Sequence, residues 1–426
     1  MRVLFVSSSF PRDLRTYVSG SYQRMNLFIE AIKEVAQLDL LFYVPPDVDI
    51  SASAISALER KLAQHWDADI RLFLCSRFQT SDTSSKWNDH FTKMFSFFQQ
   101  ESHAATSRPQ QIQALESCLE HSPDLVFAYK LSSMCPLLLT RRTLPPVLFD
   151  LDDIEHIAFF RGIQDQWRWR YKLLQYSRLP ALVIGERRAI HLANRTFVCS
   201  ELDRRYLADR WKLPNIEVIP NAITNSKHLP VTCEPTLLLL AAYWYQPNVE
   251  AAEFLIGEIW PLISRAVPSA KLIVAGSRPE AISAYSEQFP GVEFAGFVDN
   301  LENLYRCSRV VCCPILRGGG TRVKIIEAAA YGKPIVATHI GAEGLGFRNG
   351  AEILLRDDAR SFANACIELL TNDSLCDSLG SAAYETAVQH YNRARIKTLI
   401  RTHVMAACNE GPASVPTTKQ SQHELV

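Results

Sequence analysis

Short apolar runs without polar alternation recur along this chain, each followed by a longer helical pattern, and they come in two sets. The first set is Val3–Val6, Leu38–Val44, Ile70–Leu74, Leu125–Ala128, Val147–Phe149 and Thr196–Val198. The second is Leu237–Ala241, Leu272–Ala275, Val292–Phe294, Val310–Ile315, Ile335–Ala337 and Ile353–Leu355. A strand that is apolar on every residue is buried on both faces, which requires a parallel sheet covered by helices. Helical patterns at Asn248–Ala266, Val323–Tyr331 and Ser361–Leu370 lie between runs of the second set. Two such series, parted by a polar linker near 221–235, predict two doubly wound α/β domains. Open α/β sheets bind ligands at the carboxyl ends of their strands, so polar anchors are expected just after the runs, at a cleft between the domains.

The length of 426 residues suits two or three domains. Lys+Arg and Asp+Glu both number 45, so the formal charge is zero and the basic surplus of a nucleic-acid binder is absent. Any anion is then held by a local site. The eleven cysteines show no zinc-knuckle or redox spacing, and most sit inside apolar runs, as expected of reduced thiols in a cytoplasmic protein. The longest apolar run, Leu237–Tyr245, is about half a membrane span. Residues 409–426 hold few large apolar groups and are expected to be a disordered tail.

The richest segment is 310–338. A strand runs into Gly318, Gly319 and Gly320, then Thr321 at a helix N-cap position, and the helix ends before Gly332 and Pro334. Glycines ahead of a helix N-terminus let backbone N–H groups approach a phosphate, and the helix dipole favours the anion. That dipole disfavours cations, yet Arg322 and Lys324 occupy the first turn. They make sense facing an anion, Arg322 as a fork and Lys324 as a point charge. Glu327, one turn further, suits the hydroxyls of a ribose. Together these residues point to a nucleotide diphosphate. The competing reading is a glycine-rich turn with a Lys324–Glu327 surface pair, which leaves three adjacent glycines unexplained.

This segment resembles the C-terminal nucleotide-sugar signature of family-4 (group 1) retaining glycosyltransferases of GT-B fold. Tyr245-Gln246-Pro247-Asn248 resembles the opening of that family's donor domain, and Lys271–Gly276 its second strand and glycine turn. Gly296-Phe297-Val298 resembles the loop that receives the nucleobase. Ile219–Ala222 is similar to the interdomain junction, and Ser200-Glu201 to the serine-plus-acid step before it. The resemblance implies GT-B architecture: two Rossmann-like doubly wound domains facing across a cleft. Residues 1–222 would bind the acceptor and 223–390 the nucleotide-sugar donor, with a helix over 391–408 packing back on the first domain. It implies transfer from a nucleoside-diphosphate sugar to a hydroxyl of a glycan, a lipid-linked glycan or a small molecule, with retention. No metal or other cofactor is implied. Donor contacts would come from Gly318–Gly320, Thr321, Arg322, Lys324, Glu327, Gly276, Phe297, Val298 and Gly20. Polysaccharide biosynthesis in the cytoplasm is the expected setting, with peripheral contact at the inner face of the cell membrane left open.

Three departures from the family pattern stand out. Of its paired glutamates only the second is present, since Gly319 occupies the first position. The usual Arg and Lys near the start of the donor domain are missing from 241–248, which leaves charge neutralisation to Arg322 and Lys324. In the first half, Asp152 takes the place of a histidine found in many relatives. Asp152 or Asp153 would then position or deprotonate an acceptor hydroxyl. Asp150-Leu-Asp152 also resembles the metal motif of the other glycosyltransferase architecture, and a capping carboxylate is the plain structural reading. Arg12, Arg24 and His156 are candidate acceptor contacts. Residues 161–172 interleave basic and aromatic groups, as for a membrane surface or lipid-linked acceptor, although the short length favours a helix whose aromatics pack inward. A nucleotide-sugar epimerase or hydrolase, or a non-catalytic nucleotide-binding protein, would share the donor site. No strand is followed by the glycine fingerprint of a dinucleotide fold.

Overall fold

The computed structural model describes residues 1–11, 20–79, 95–164, 169–287 and 289–411. They form two compact units: unit 1 is Met1–Pro220 together with the chain from Lys397, and unit 2 is Asn221–Ile396.

Unit 1 is built on β1 (Arg2–Ser7), β2 (Gln37–Val44), β3 (Ile70–Ser76), β4 (Leu125–Tyr129), β5 (Val147–Asp152), β6 (Arg195–Val198) and β7 (Ile216–Val218). The sheet order is β3-β2-β1-β4-β5-β6-β7 and every pair is parallel. The central strands are buried along nearly their whole length, which is why their sequences carry no alternation. Phe5 of β1 stacks on Phe127 of β4 at 5.1 Å, and Phe28 from the helix Gly20–Ile32 meets Phe127 at 4.8 Å.

Unit 2 repeats the plan with β8 (Thr236–Leu240), β9 (Lys271–Ala275), β10 (Val292–Gly296), β11 (Val310–Cys313), β12 (Ile335–Ala337) and β13 (Leu354–Leu355). Their order is β10-β9-β8-β11-β12-β13, again all parallel. Each sheet therefore reverses direction of winding once, between β1 and β4 in unit 1 and between β8 and β11 in unit 2. Ligand sites of open α/β sheets lie outside the carboxyl ends at such points.

The helix expected over Asn248–Ala266 is not uniform. It runs Gln246–Phe254, widens into a π-turn at Leu255–Ile259, and resumes at Trp260–Ala266. Pro261 explains the change, since it has no N–H for the carbonyl four residues back and its ring would collide there. The last helix, Arg393–Cys408, packs with unit 1: Lys397 and Arg401 both reach Glu34, and Lys397 also lies 3.9 Å from Glu30. All eleven cysteines are free and eight are buried. Among the described residues, no helix is long and apolar enough to cross a membrane. Most of the expected tail, 412–426, lies outside the described residues.

Candidate functional site

In unit 2 the carboxyl ends of β8 and β11 place two loops against one another. Gly318 has φ +115° and Gly320 +72°, a region that a side chain disfavours. A Cβ at Gly318 would stand 3.0 Å from the Tyr245 hydroxyl and 3.1 Å from Nη2 of Arg322. The glycines thus admit the β8 loop and the guanidinium together. The helix begins at Val323, so Arg322, and not Thr321, occupies the N-cap, and no side chain caps it. Thr321 is taken by tertiary contact instead, its Oγ1 accepting from Nδ2 of Asn221 at 2.8 Å.

Arg322 donates from Nη1 to the carbonyls of Gly319 and Gly320, the latter at 2.7 Å. Its Nη2 is buried and makes no hydrogen bond. Lys324 donates to Oδ1 of Asn248 at 3.0 Å, and burial lowers its amine below the ordinary lysine value, with Arg322 pushing the same way. Among the described residues neither cation has a carboxylate partner, whereas neighbouring Arg317 is ion-paired with Glu250. Positive charge has been collected here without its counter-charge. One turn on, Glu327 accepts from the Tyr305 hydroxyl at 3.3 Å, and burial pushes its carboxyl up to about 7.

The other donor-side residues follow the neighbouring strands. Gly276 follows β9 with φ +134°, its N–H bonded to the Gly296 carbonyl at 2.7 Å, and a Cβ there would fall 1.6 Å from the Ala241 carbonyl oxygen. Phe297 is exposed after β10, and Val298 packs partly onto the core cluster that holds Tyr305 and Ile325. Tyr245 and Asn248, whose side chains reach Gly318 and Lys324, were named in the sequence only as a domain opening. Their position just after β8 was the available signal.

In unit 1 the corresponding edge is dense with paired charge. Lys130 follows β4 and Asp152 ends β5, both at positive φ (68° and 62°), and Nζ of Lys130 stands 3.3 Å from Oδ2 of Asp152. A register shift in the β5–β6 ladder accompanies the turn at Asp152. Burial alone would raise the Asp152 carboxyl, but Lys130 and Arg24 hold it below the usual carboxylate range. Cys199 donates to Oδ1 of Asp152 at 3.2 Å. Lys130, absent from the sequence-based candidates, is the residue immediately after a strand end.

Three acceptor-side expectations change. Arg24 is fully buried, grips Asp150 through Nε (2.8 Å) and Nη2 (2.6 Å), and donates to the Ile219 carbonyl at 2.8 Å. It holds the core and is not available to a substrate. His156 is also buried: Nδ1 meets Glu186, Nε2 meets the Tyr206 hydroxyl at 2.8 Å, and the ring stacks on Trp211. Both of its nitrogens are committed. Trp169 and Tyr171 turn outward, 68% and 47% exposed, against the expectation of inward packing. Gly20 is the exposed first residue of its helix, while Arg12 and residues 165–168 lie outside the described residues. Ser200 caps the helix Glu201–Arg205, and Glu201 pairs with Arg204 and Arg205. Asp150 and Asp152 pair with Arg24 and Lys130, and no cluster of three or more potential metal ligands occurs among the described residues.

Residues 234–372, which include β8 to β13, match the family described as Glycosyl transferases group 1. Sucrose-phosphate synthase from Thermosynechococcus elongatus superposes with a TM-score of 0.67 at 16% identity, covering 95% of this chain and 98% of that one. Anabaena HepE in complex with UDP and glucose gives 0.61 at 14% identity, over 95% and 100% of the two chains. TarM from S. aureus, in complex with fondaparinux, alpha-GlcNAc-glycerol and UDP, gives 0.65 at 12% identity, over 96% and 100%. The fold is GT-B. A protein of the cps region of Klebsiella pneumoniae, described as uncharacterized, is 22% identical over 157 residues. That match takes 35% of this chain and 40% of the relative's length. The GT-B assignment agrees with the sequence-based expectation of two doubly wound domains.

Proposed function

We propose that this GT-B protein is a glycosyltransferase that moves a sugar from a nucleoside-diphosphate sugar to an acceptor hydroxyl, with retention and without a metal. The observation that carries this reading is the pair Arg322 and Lys324, half-buried beside three glycines with no ion-paired carboxylate among the described residues. A donor diphosphate supplies the missing negative charge. As the bond to the sugar breaks, charge grows on the leaving diphosphate, and preoriented cations with first-turn amides stabilise it. Glu327 accepts from the ribose, and Phe297 and Val298 border the base. Complexes of HepE with UDP-glucose and of TarM with UDP support a uridine donor as the first to test. In unit 1, Asp152 and Asp153 line a cavity, which favours transfer over hydrolysis or epimerisation, since neither of those needs an acceptor.

The test is thermal stabilisation of the wild type and Arg322→Ala by UDP, GDP, dTDP, CMP and NADH. A ligand at a hundred times its Kd adds about 2.7 kcal/mol. One nucleoside diphosphate should shift the wild type alone, and equal shifts in both proteins would refute the site. Release of free sugar or an isomer without acceptor would mark a hydrolase or epimerase, and binding without turnover a non-catalytic protein. Activity should survive EDTA, and NMR of the product should show the donor's anomeric configuration. The exposed Trp169 and Leu173, beside Arg170 and Lys172, also suit peripheral contact with an anionic bilayer. Sedimentation with vesicles of anionic and of neutral lipid tests that contact.

A further inference from the structure

Three arginines are buried among the described residues: Arg24, Arg309 and Arg178. The first two have their counter-charges, Asp150 for Arg24 and Asp373 for Arg309, with backbone carbonyls filling the remaining donors. Arg178 does not. It is 8% exposed, its Nη1 donates to the neutral amide of Gln175 at 3.0 Å, and its Nε is buried with no hydrogen bond. The guanidinium lies over the Phe159 ring at 5.4 Å, and no carboxylate among the described residues forms an ion pair with it. It also occupies the N-cap of the helix Leu179–Leu192, where the dipole opposes a cation and favours an anion. A desolvated cation in that position raises the energy of the free protein unless something negative arrives.

Arg178 lines a cavity of about 680 Å³ in unit 1. That volume is in the range of small-molecule sites, roughly 300–1,000 Å³. The same cavity is lined by Lys130, Asp152 and Asp153 from the ends of β4 and β5, by Glu155, and by Phe159 and Tyr171. The carboxylates do not serve Arg178. Asp152 is held by Lys130 and Arg24, and Glu155 by His103 at 3.1 Å. The cavity thus combines hydroxyl acceptors at the strand ends, aromatic faces that suit a sugar ring, and one unneutralised guanidinium on a separate element.

We propose that this cavity binds an acceptor carrying an anionic group, a carboxylate or a phosphate, which Arg178 holds while Asp152 and Asp153 receive its hydroxyls. This rests on the reading of unit 1 as the acceptor side. It adds the charge class of the acceptor, which the donor site does not determine.

Calorimetric titration of the full chain with methyl glucuronide, farnesyl phosphate and the neutral methyl glucoside tests it, using wild type, Arg178→Gln and Arg178→Lys. One anionic probe should bind the wild type more tightly than methyl glucoside does. Arg178→Gln should weaken it by about 10- to 100-fold, with Arg178→Lys between the two. Preference for the glucuronide identifies a uronate as the source of the anion, and preference for farnesyl phosphate a lipid-linked phosphate. Arg178→Gln should leave the ligand-free protein at least as stable as wild type, because it removes an uncompensated charge, and should leave UDP binding unchanged. Equal binding of neutral and anionic probes, unchanged affinity in Arg178→Gln, binding of no probe, or a loss of stability in that variant would each overturn the site. Arg178-dependent binding of a probe that is never glycosylated would uphold the site and refute the acceptor reading instead.

Discussion

The two units share a sheet order and a place where charged residues gather, yet they treat charge in opposite ways. At the carboxyl edge of unit 1, Arg24, Lys130, Asp150 and Asp152 neutralise one another. At the same edge of unit 2, Arg322 and Lys324 stand on glycine backbone and an amide, with no carboxylate partner among the described residues. A closed network holds itself together without a ligand, whereas an unbalanced one is completed by what it binds. Topology alone therefore does not distinguish the two strand-end clusters; the presence or absence of internal counter-charge does.

The comparison breaks first where the closed network is opened. Arg24→Met leaves Asp150 buried and unpaired, and should cost about 3–5 kcal/mol in urea unfolding. In unit 2, Arg322→Ala should lower kcat by about 10²–10³-fold, or roughly 3–4 kcal/mol of transition-state stabilisation, while urea unfolding shows no loss of stability. A large stability loss in Arg322→Ala, or a negligible one in Arg24→Met, would erase the distinction between the units.

Titration sharpens it. Glu327 is raised to about 7 from an ordinary 4.5 by burial. Below the unfolded value both states keep the proton. Between there and the folded value only the folded state keeps it, so stability falls as pH rises through that window and then levels off. The total is on the order of 3 kcal/mol, and Glu327→Gln should flatten this slope when unfolding is followed across pH. The smallest effect belongs to Tyr305→Phe, which deletes the hydroxyl that donates to Glu327. It should cost about 1 kcal/mol and move the Glu327 titration, followed by NMR, further upward.

What the sequence showed depended on how local the cause was. The strands around Val3, Leu125 and Val310 were legible because two-sided burial writes itself as a continuous apolar run. The glycine loop was legible because Gly318 to Gly320, Arg322 and Lys324 are neighbours in sequence. Thr321 was misread as a cap because its partner, Asn221, is 100 residues away. Arg24 was misread for the same reason, its carboxylate lying 126 residues on. Arg178 lies just beyond the basic and aromatic stretch 161–172, in a segment with no motif of its own. Its interest comes from a partner it lacks, and no local pattern records a missing partner.

The return of the last helix to unit 1 bears on how the chain folds. Arg401 reaches Glu34 across 367 residues, with the whole of unit 2 inserted between. Closing so long a loop is entropically slow for an unfolded insert. Within unit 2, however, Ile223 bridges Asn392 in parallel, and its N–H bonds the Tyr391 carbonyl at 2.9 Å, so the two ends of the insert are tied side by side once it has folded. Unit 2 then acts as its own staple, and a chain that completes it early has only a short search left for its final helix.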